Sequence, residues 1–291
     1  MASEEATRTM AEPEIATKAP ESDATEAPMI QGDTKARDGA SMGEHCTTDR
    51  PAPGHLPAGE MTKFKDIDVY ISKPADYPHA PSKLLLLLTG GTGIKSANNQ
   101  LQADRFAGEG FLVVMPDQFS GDPAPNTAPT AEEENPSLIE QVKMRAAETA
   151  KAFMIDMWLA RHTPEKVLPI LRTVLDSARD EYADAVANGG GVYAAGYCFG
   201  AKYVLILAGE HPENAVHGKQ QKDEESGVLS TGPFVKAGAI AHATLVTRED
   251  LRALKVPVTM ACVGKLAGYL IPQAEGLTVL QRMTSSFQRR F

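Results

Sequence analysis

The sequence predicts an α/β fold, a mostly parallel sheet with helices on both faces, and three observations carry that prediction. Leu84 to Leu88 is an unbroken apolar run between a polar lead and a glycine cluster, the pattern of a central strand covered on both sides. Strand-like stretches alternate along the chain with stretches of helical period. Residues 191–209, GVYAAGYCFGAKYVLILAG, then read as a short buried strand turning directly into an apolar helix.

In order, Asp68-Val69-Tyr70-Ile71 is a strand closed by Lys73-Pro74. After Leu88 and Gly90-Gly91-Thr92-Gly93 a helix runs through Asn98 to Gly108, with Leu101, Ala103 and Phe106 inward. Phe111 to Met115 is a second buried strand. The Pro-rich stretch 120–137 is a loop long enough to suggest a role at the site. A helical stretch with Phe153, Met157, Trp158 and Leu159 follows, Trp158 reading as core. Thr163-Pro164 is an N-cap with proline at the first helical position. Val167, Leu171, Val174, Leu175 and Ala178 then mark an inner helix face, with Arg172, Arg179, Asp180 and Asp184 on an outer, solvated one. Past the elbow helix come a polar loop (211–230), a strand (237–243), a short helix (247–254) and a strand (256–263).

Residues 1–45 are rich in Ala, Glu, Thr, Pro and Asp without an aromatic side chain, so they are expected to be a disordered acidic tail. Ten acids against four bases in residues 1–44 take −6 of the net charge of −9. The rest carries little field, which argues against a nucleic-acid partner. No basic, apolar leader and no apolar run of membrane-spanning length is present, so the expected location is cytoplasmic, off the membrane. Cys46, Cys198 and Cys262 are odd in number and widely spaced, which argues against a disulfide framework and a zinc ribbon. The glycines at 90–93 fit neither a Walker A loop nor G-x-G-x-x-G, because Ile94 separates Gly93 from Lys95. A backbone-lined anion or oxyanion pocket suits them better.

Gly196-Tyr197-Cys198-Phe199-Gly200 is the nucleophile-elbow pattern G-x-S-x-G with cysteine at its centre. A strand that becomes a helix within one residue strains the central backbone and leaves no room for side chains two positions away. The central side chain then stands at a helix N-terminus, whose partial positive charge favours a thiolate. A buried cysteine in a tight turn of another α/β protein is the alternative that spacing alone leaves open.

With its neighbours this elbow resembles the dienelactone hydrolase family, fungal type, of the α/β-hydrolase superfamily. The likeness is carried by Gly196 to Tyr203, by Asn98-Asn99-Gln100-Leu101-Gln102-Ala103-Asp104-Arg105-Phe106-Ala107, by Gly110 to Asp117, and by Ala241-His242 and Val256-Pro257-Val258. It covers about residues 46–264, leaving 265–291 as a segment unlike the family. The resemblance implies a three-layer α/β-hydrolase fold and cleavage of a small carboxylic ester or lactone, with neither metal nor cofactor. Cys198 would attack the carbonyl, and the oxyanion would sit between the backbone N–H groups of Phe199 and about Gly91.

Two departures stand out. In the family's bacterial archetypes an acidic residue after the first central strand contacts the resting thiol, and here Gly90 matches it. Its Asp and His should follow the strand near 257–263, yet after Gly264 the chain has no Asp, no His and one acid, Glu275. That ending reads as a truncated or frame-altered product lacking the last strand and helix, in which activity is in doubt. His242, at the end of a strand beside the elbow strand, is then the surrogate base, with a structural histidine as the alternative. His211 and His217 are weaker surrogates, and Glu249 and Asp250 read as helix-capping acids.

Overall fold

The computed structural model describes residues 49, 54–125, 138–212, 214 and 232–261. The expectations for the tail, for His217 and for 265–291, with most of those for the Pro-rich loop and the polar loop, lie outside these residues, as do Cys46 and Cys262.

Seven strands form one sheet in the order β1-β2-β4-β3-β5-β6-β7. They are β1 (Glu60–Phe64), β2 (Ile67–Ser72), β3 (Lys83–Leu88), β4 (Phe111–Pro116), β5 (Tyr193–Tyr197), β6 (Ala237–Ala241) and β7 (Val258–Ala261). β2 is antiparallel to both β1 and β4, and the other pairings are parallel. The helices are α1 (Ala97–Gly108), α2 (Leu138–Arg161), α3 (Pro164–Glu181), α4 (Ala183–Gly189), α5 (Phe199–Ala208) and α6 (Arg248–Arg252).

The leucine run explains the layering. Successive strand residues face opposite sides, so Leu84, Leu86 and Leu88 join a core with α3 and α5, whereas Leu85 and Leu87 join a second core with α1. Each of these leucines is at most 5% exposed. β7 is the opposite case: its four residues alternate half-buried and exposed.

Sequence reasoning did not place β1, whose EMTKF is exposed except at Phe64. Its strand state comes from pairing with β2, Glu60 opposite Ile71 through Phe64 opposite Ile67. Trp158 is fully buried, as predicted, and its Nε1 donates to the Asp122 carbonyl at 2.8 Å. The outer face of α3 is a correction. Arg172 stacks 3.6 Å from the Phe234 ring centroid, and Arg179 Nη2 donates to the Phe234 carbonyl at 2.5 Å. The segment entering β6 thus covers the two arginines, whereas Asp180 and Asp184 are exposed as expected.

The N-terminus of α1 is held from a distance too. Asp49 accepts from Ser96 Oγ at 2.9 Å and from the Ala97 amide at 3.0 Å, a negative group where orphan amides and the helix dipole favour one. Further along α1, Asp104 accepts from Tyr70 Oη at 2.9 Å, Ser72 Oγ at 2.7 Å and the Ala58 amide at 2.7 Å. Burial, and then the hydrogen bond to Asp104, pushes the Tyr70 phenol well above its ordinary range.

Candidate functional site

Cys198 stands between β5 and α5 with φ +53° and ψ −114°, in the left-handed half of backbone space that side chains other than glycine avoid. The strain is held by hydrogen bonds on both sides. Its amide donates to the Ala241 carbonyl at 3.1 Å, and its own carbonyl accepts from the Ala201 amide at 3.2 Å and the Thr244 amide at 3.3 Å. The Gly200 amide donates to the Thr89 carbonyl at 3.1 Å. A Cβ on Gly196 would fall 2.7 Å from the Gly200 oxygen, and one on Gly200 would overlap the Leu88 carbonyl. Both glycines are therefore required by the close passage of strand and helix.

Phe199 and Gly91, the residues expected to line an oxyanion pocket, follow the carboxyl ends of β5 and β3. Phe199 begins α5, so its N–H is among the amides that a helix start leaves without an intrahelical partner. Gly91 is buried in the turn after β3, closed by the Gly93 amide on the Gly90 carbonyl at 3.2 Å. The Gly91 carbonyl accepts from Ala124 at 2.8 Å, which ties this turn to the loop after β4. That loop is itself pinned by Arg161, whose Nε is 2.9 Å from Asp122 Oδ2.

Among the described residues, Thr244 meets the Cys198 sulfur, with Oγ1 3.7 Å from Sγ. Sequence reasoning missed it, since a threonine in a short loop carries no pattern. His242 lies two residues away in the same loop, at φ +48°, exposed, with its ring 5.2 Å from that of Tyr197. Its amide donates to the Ala261 carbonyl at 3.2 Å. His242 is thus beside the elbow, next to the residue preceding Cys198.

Two histidine–carboxylate pairs occur among the described residues, and neither includes Cys198. His162 Nε2 is 3.7 Å from Asp122 Oδ2, and its Nδ1 is 2.8 Å from the Trp158 carbonyl oxygen. His211 Nε2 is 3.6 Å from Asp250 Oδ1, with both residues buried. Asp250 caps α6, its Oδ2 accepting from the Thr247 amide at 2.7 Å while its amide donates to Thr247 Oγ1 at 3.2 Å. The capping role read from sequence holds. His211 lies beyond the far end of α5, about 15 Å of helix from Cys198.

Two further buried groups lie under the elbow. Gln118 is fully buried and donates from Nε2 to the Thr89 carbonyl at 2.9 Å, the same oxygen that holds the Gly200 amide. Thr89 Oγ1 and Gln118 Oε1 have no hydrogen-bond partner among the described residues. A cavity of about 440 Å³ opens beyond β4, lined in part by Asp66, Lys95, Asp117, Ser120 and Thr173, and Cys198 is not on its wall.

Cys198 is disulfide-bonded and fully buried.

The match to known families follows the same geometry. The dienelactone hydrolase family model matches residues 67–232, more than half of the chain. The chain belongs to the dienelactone hydrolase family. Its sheet, with one antiparallel strand second from the edge and the elbow after β5, is the α/β-hydrolase fold that the sequence implied. The family match ends before β6, short of residue 264, to which the resemblance extended.

The hydrolase pyvD of Aspergillus violaceofuscus is 32% identical over 203 residues, 70% of this chain and 62% of that protein. The hydrolase tropI of Talaromyces stipitatus is 29% identical over 209 residues, 72% of this chain and 66% of that protein. Dienlactone hydrolase 1 of Gibberella moniliformis is 27% identical, over 70% of this chain and 62% of that protein. The chain therefore spans somewhat less than two thirds of the length of these relatives. Thermogutta terrifontis esterase 2 aligns with a TM-score of 0.43 at 14% identity, over 72% of this chain and 73% of that one. No helix among the described residues is long and apolar enough to cross a membrane.

Proposed function

We propose that this chain is a hydrolase of small carboxylic esters or lactones that works through a Cys198 acyl-enzyme. The carrying observation is the strained cysteine at the strand–helix corner, with flanking glycines that have no room for a Cβ. In the reduced protein the thiolate attacks the substrate carbonyl, and the carbonyl oxygen becomes an oxyanion received by the Phe199 and Gly91 amides. Collapse of that intermediate expels the alcohol and leaves a thioester, which water then hydrolyses. Thr244 hydroxyl is placed to donate to the sulfur. His242 is the surrogate base for the water and proton source for the leaving group, reaching the site by a change of rotamer away from Tyr197. The partner is a small molecule, and the reading needs no metal or organic cofactor. A cytoplasmic location belongs to the same reading.

A second reading, a non-catalytic or thiol-reactive relative, is favoured by one observation: neither histidine–carboxylate pair meets the sulfur. One experiment separates them. The reduced protein is given 4-nitrophenyl acetate over a pH series, beside Cys198→Ala and His242→Ala. Continuous release that Cys198→Ala abolishes and His242→Ala lowers at least tenfold supports the acyl-enzyme hydrolase. A single stoichiometric burst supports the thiol-reactive reading and sinks turnover.

A further inference from the structure

The loop after β4 touches both halves of the expected oxyanion pocket. Gln118 Nε2 donates to the Thr89 carbonyl at 2.9 Å, and that oxygen also accepts from the Gly200 amide at 3.1 Å. Thr89 stands two residues before Gly91, and Gly200 follows Phe199 directly. The Phe119 ring lies 5.2 Å from the Phe199 ring, and the Ala124 amide donates to the Gly91 carbonyl at 2.8 Å. The Thr89 oxygen thus joins the turn after β3 to the elbow, and Gln118 grips it.

A glutamine here is not what stability alone would select. Gln118 is fully buried, and its neighbour Phe119 packs on Trp158 and Phe199. A carbonyl only accepts, so the side-chain nitrogen faces Thr89 and Oε1 turns away from it. Oε1 has no hydrogen-bond partner among the described residues, and an unpaired buried acceptor destabilises a fold. The Thr89 carbonyl has a donor without Gln118, since the Gly200 amide supplies one. A methionine would fill the volume and leave no acceptor unpaired. What the glutamine adds is direction: a carbonyl has two lone pairs, and a second donor fixes the tilt that one leaves free.

That tilt reaches the pocket because each peptide unit is planar. Turning the Thr89 carbonyl turns the Gly90 amide with it, and glycine backbones pass such a rotation on with little resistance. With Gln118 in place three successive carbonyls are held: Thr89 by Gly200 and Gln118, Gly90 by the Gly93 amide at 3.2 Å, and Gly91 by Ala124. The Gly91 amide shares a plane with the Gly90 carbonyl, so its direction is set as well. We propose that Gln118 is a positioning residue: its amide locks the turn after β3 to the elbow and fixes the Gly91 and Phe199 amides at the spacing an oxyanion needs. This role rests on the acyl-enzyme reading of Cys198. It bears on acyl transfer, in which an oxyanion forms, and not on alkylation of the same sulfur, in which no carbonyl is attacked.

The test compares wild type, Gln118→Met and Gln118→Glu as full-length reduced proteins. Two rates are read: the burst of 4-nitrophenol from 4-nitrophenyl acetate, and alkylation of Cys198 by iodoacetamide. In Gln118→Met the maximal acylation rate should fall about tenfold or more. Its half-saturating ester concentration and its alkylation rate should stay within about twofold of wild type. Gln118→Glu is a conservative rescue controlled by pH. Its protonated carboxyl donates to the Thr89 carbonyl, its carboxylate repels that oxygen, and burial favours the protonated form. At about pH 6 it should acylate within about threefold of wild type, and fall behind as pH rises. If Gln118→Met does not fold, this comparison decides alone. Unchanged acylation in Gln118→Met, or equal loss of acylation and alkylation, overturns the positioning role and leaves the hydrolase reading standing. So does a Gln118→Glu that remains about tenfold slow at pH 6. A wild-type protein that is alkylated but never acylated sinks the hydrolase reading, and the positioning role with it.

Discussion

The two sides of the sheet are built differently. From β2 to β5 the strands are covered on both faces: Leu84 to Leu88 alternate between a core with α3 and α5 and a core with α1. From β6 to β7 the cover thins, and Ala239, Thr259 and Ala261 are exposed. The Cys198 turn hangs from the covered side through Thr89 and Leu88. On the other side, among the described residues, the Ala241 carbonyl and the Thr244 amide hold it. Position of the sulfur is thus set by the packed core, whereas the loop that carries Thr244 and His242 belongs to the less covered edge.

The largest break should come at the seam. Gly200→Val drives a side chain into the Leu88 carbonyl, and the protein should fail to accumulate in soluble form or lose its cooperative melt. Next comes the core: Leu86→Ala should cost about 2–5 kcal/mol in denaturant unfolding, whereas Met260→Ala in half-buried β7 should cost about 1 kcal/mol. Equal costs would show that the edge is as tightly packed as the centre.

A pH experiment probes the covered side alone. The phenol of Tyr70 is raised by burial, and then by its bond to Asp104, so the folded state holds that proton more tightly than the unfolded chain does. Its contribution is complete below the unfolded tyrosine value of about 10 and fades as pH rises above it. Tyr70→Phe should cost about 1–2 kcal/mol at pH 7 through the lost hydrogen bonds. It should also flatten the fall in unfolding free energy above pH 10, and an unchanged slope would refute that origin.

Thr244→Val tests the edge side. In reduced protein the midpoint of Cys198 alkylation should rise by about half to one pH unit, the worth of one hydrogen bond to the sulfur. The smallest effect is expected at Ala239→Thr, within about 0.5 kcal/mol of the parent, because its side chain faces solvent.

The covered side was also the legible one. The leucine run, the glycine-flanked cysteine and the apolar stripe of α3 announce burial through composition and period, and the structure places each where that pattern requires. Even there the outer face of α3 misled, because Arg172 and Arg179 look the same in sequence whether they meet water or Phe234. At the edge the pattern thins. Thr244 and His242 sit in a short loop with no periodicity, and their placement depends on the ends of three strands at once.

By itself the sequence determined the family, the two-faced burial of β3 and the identity of the residue at the elbow, because these follow from short-range order: side chains alternate along a strand, and a one-residue turn excludes all but glycine two positions away. Only the tertiary structure decided what touches that residue. The Asp49 cap on α1 and the Thr244 hydroxyl at the sulfur join positions far apart in the chain, and such meetings depend on how strands are ordered across the sheet, which no local spacing encodes.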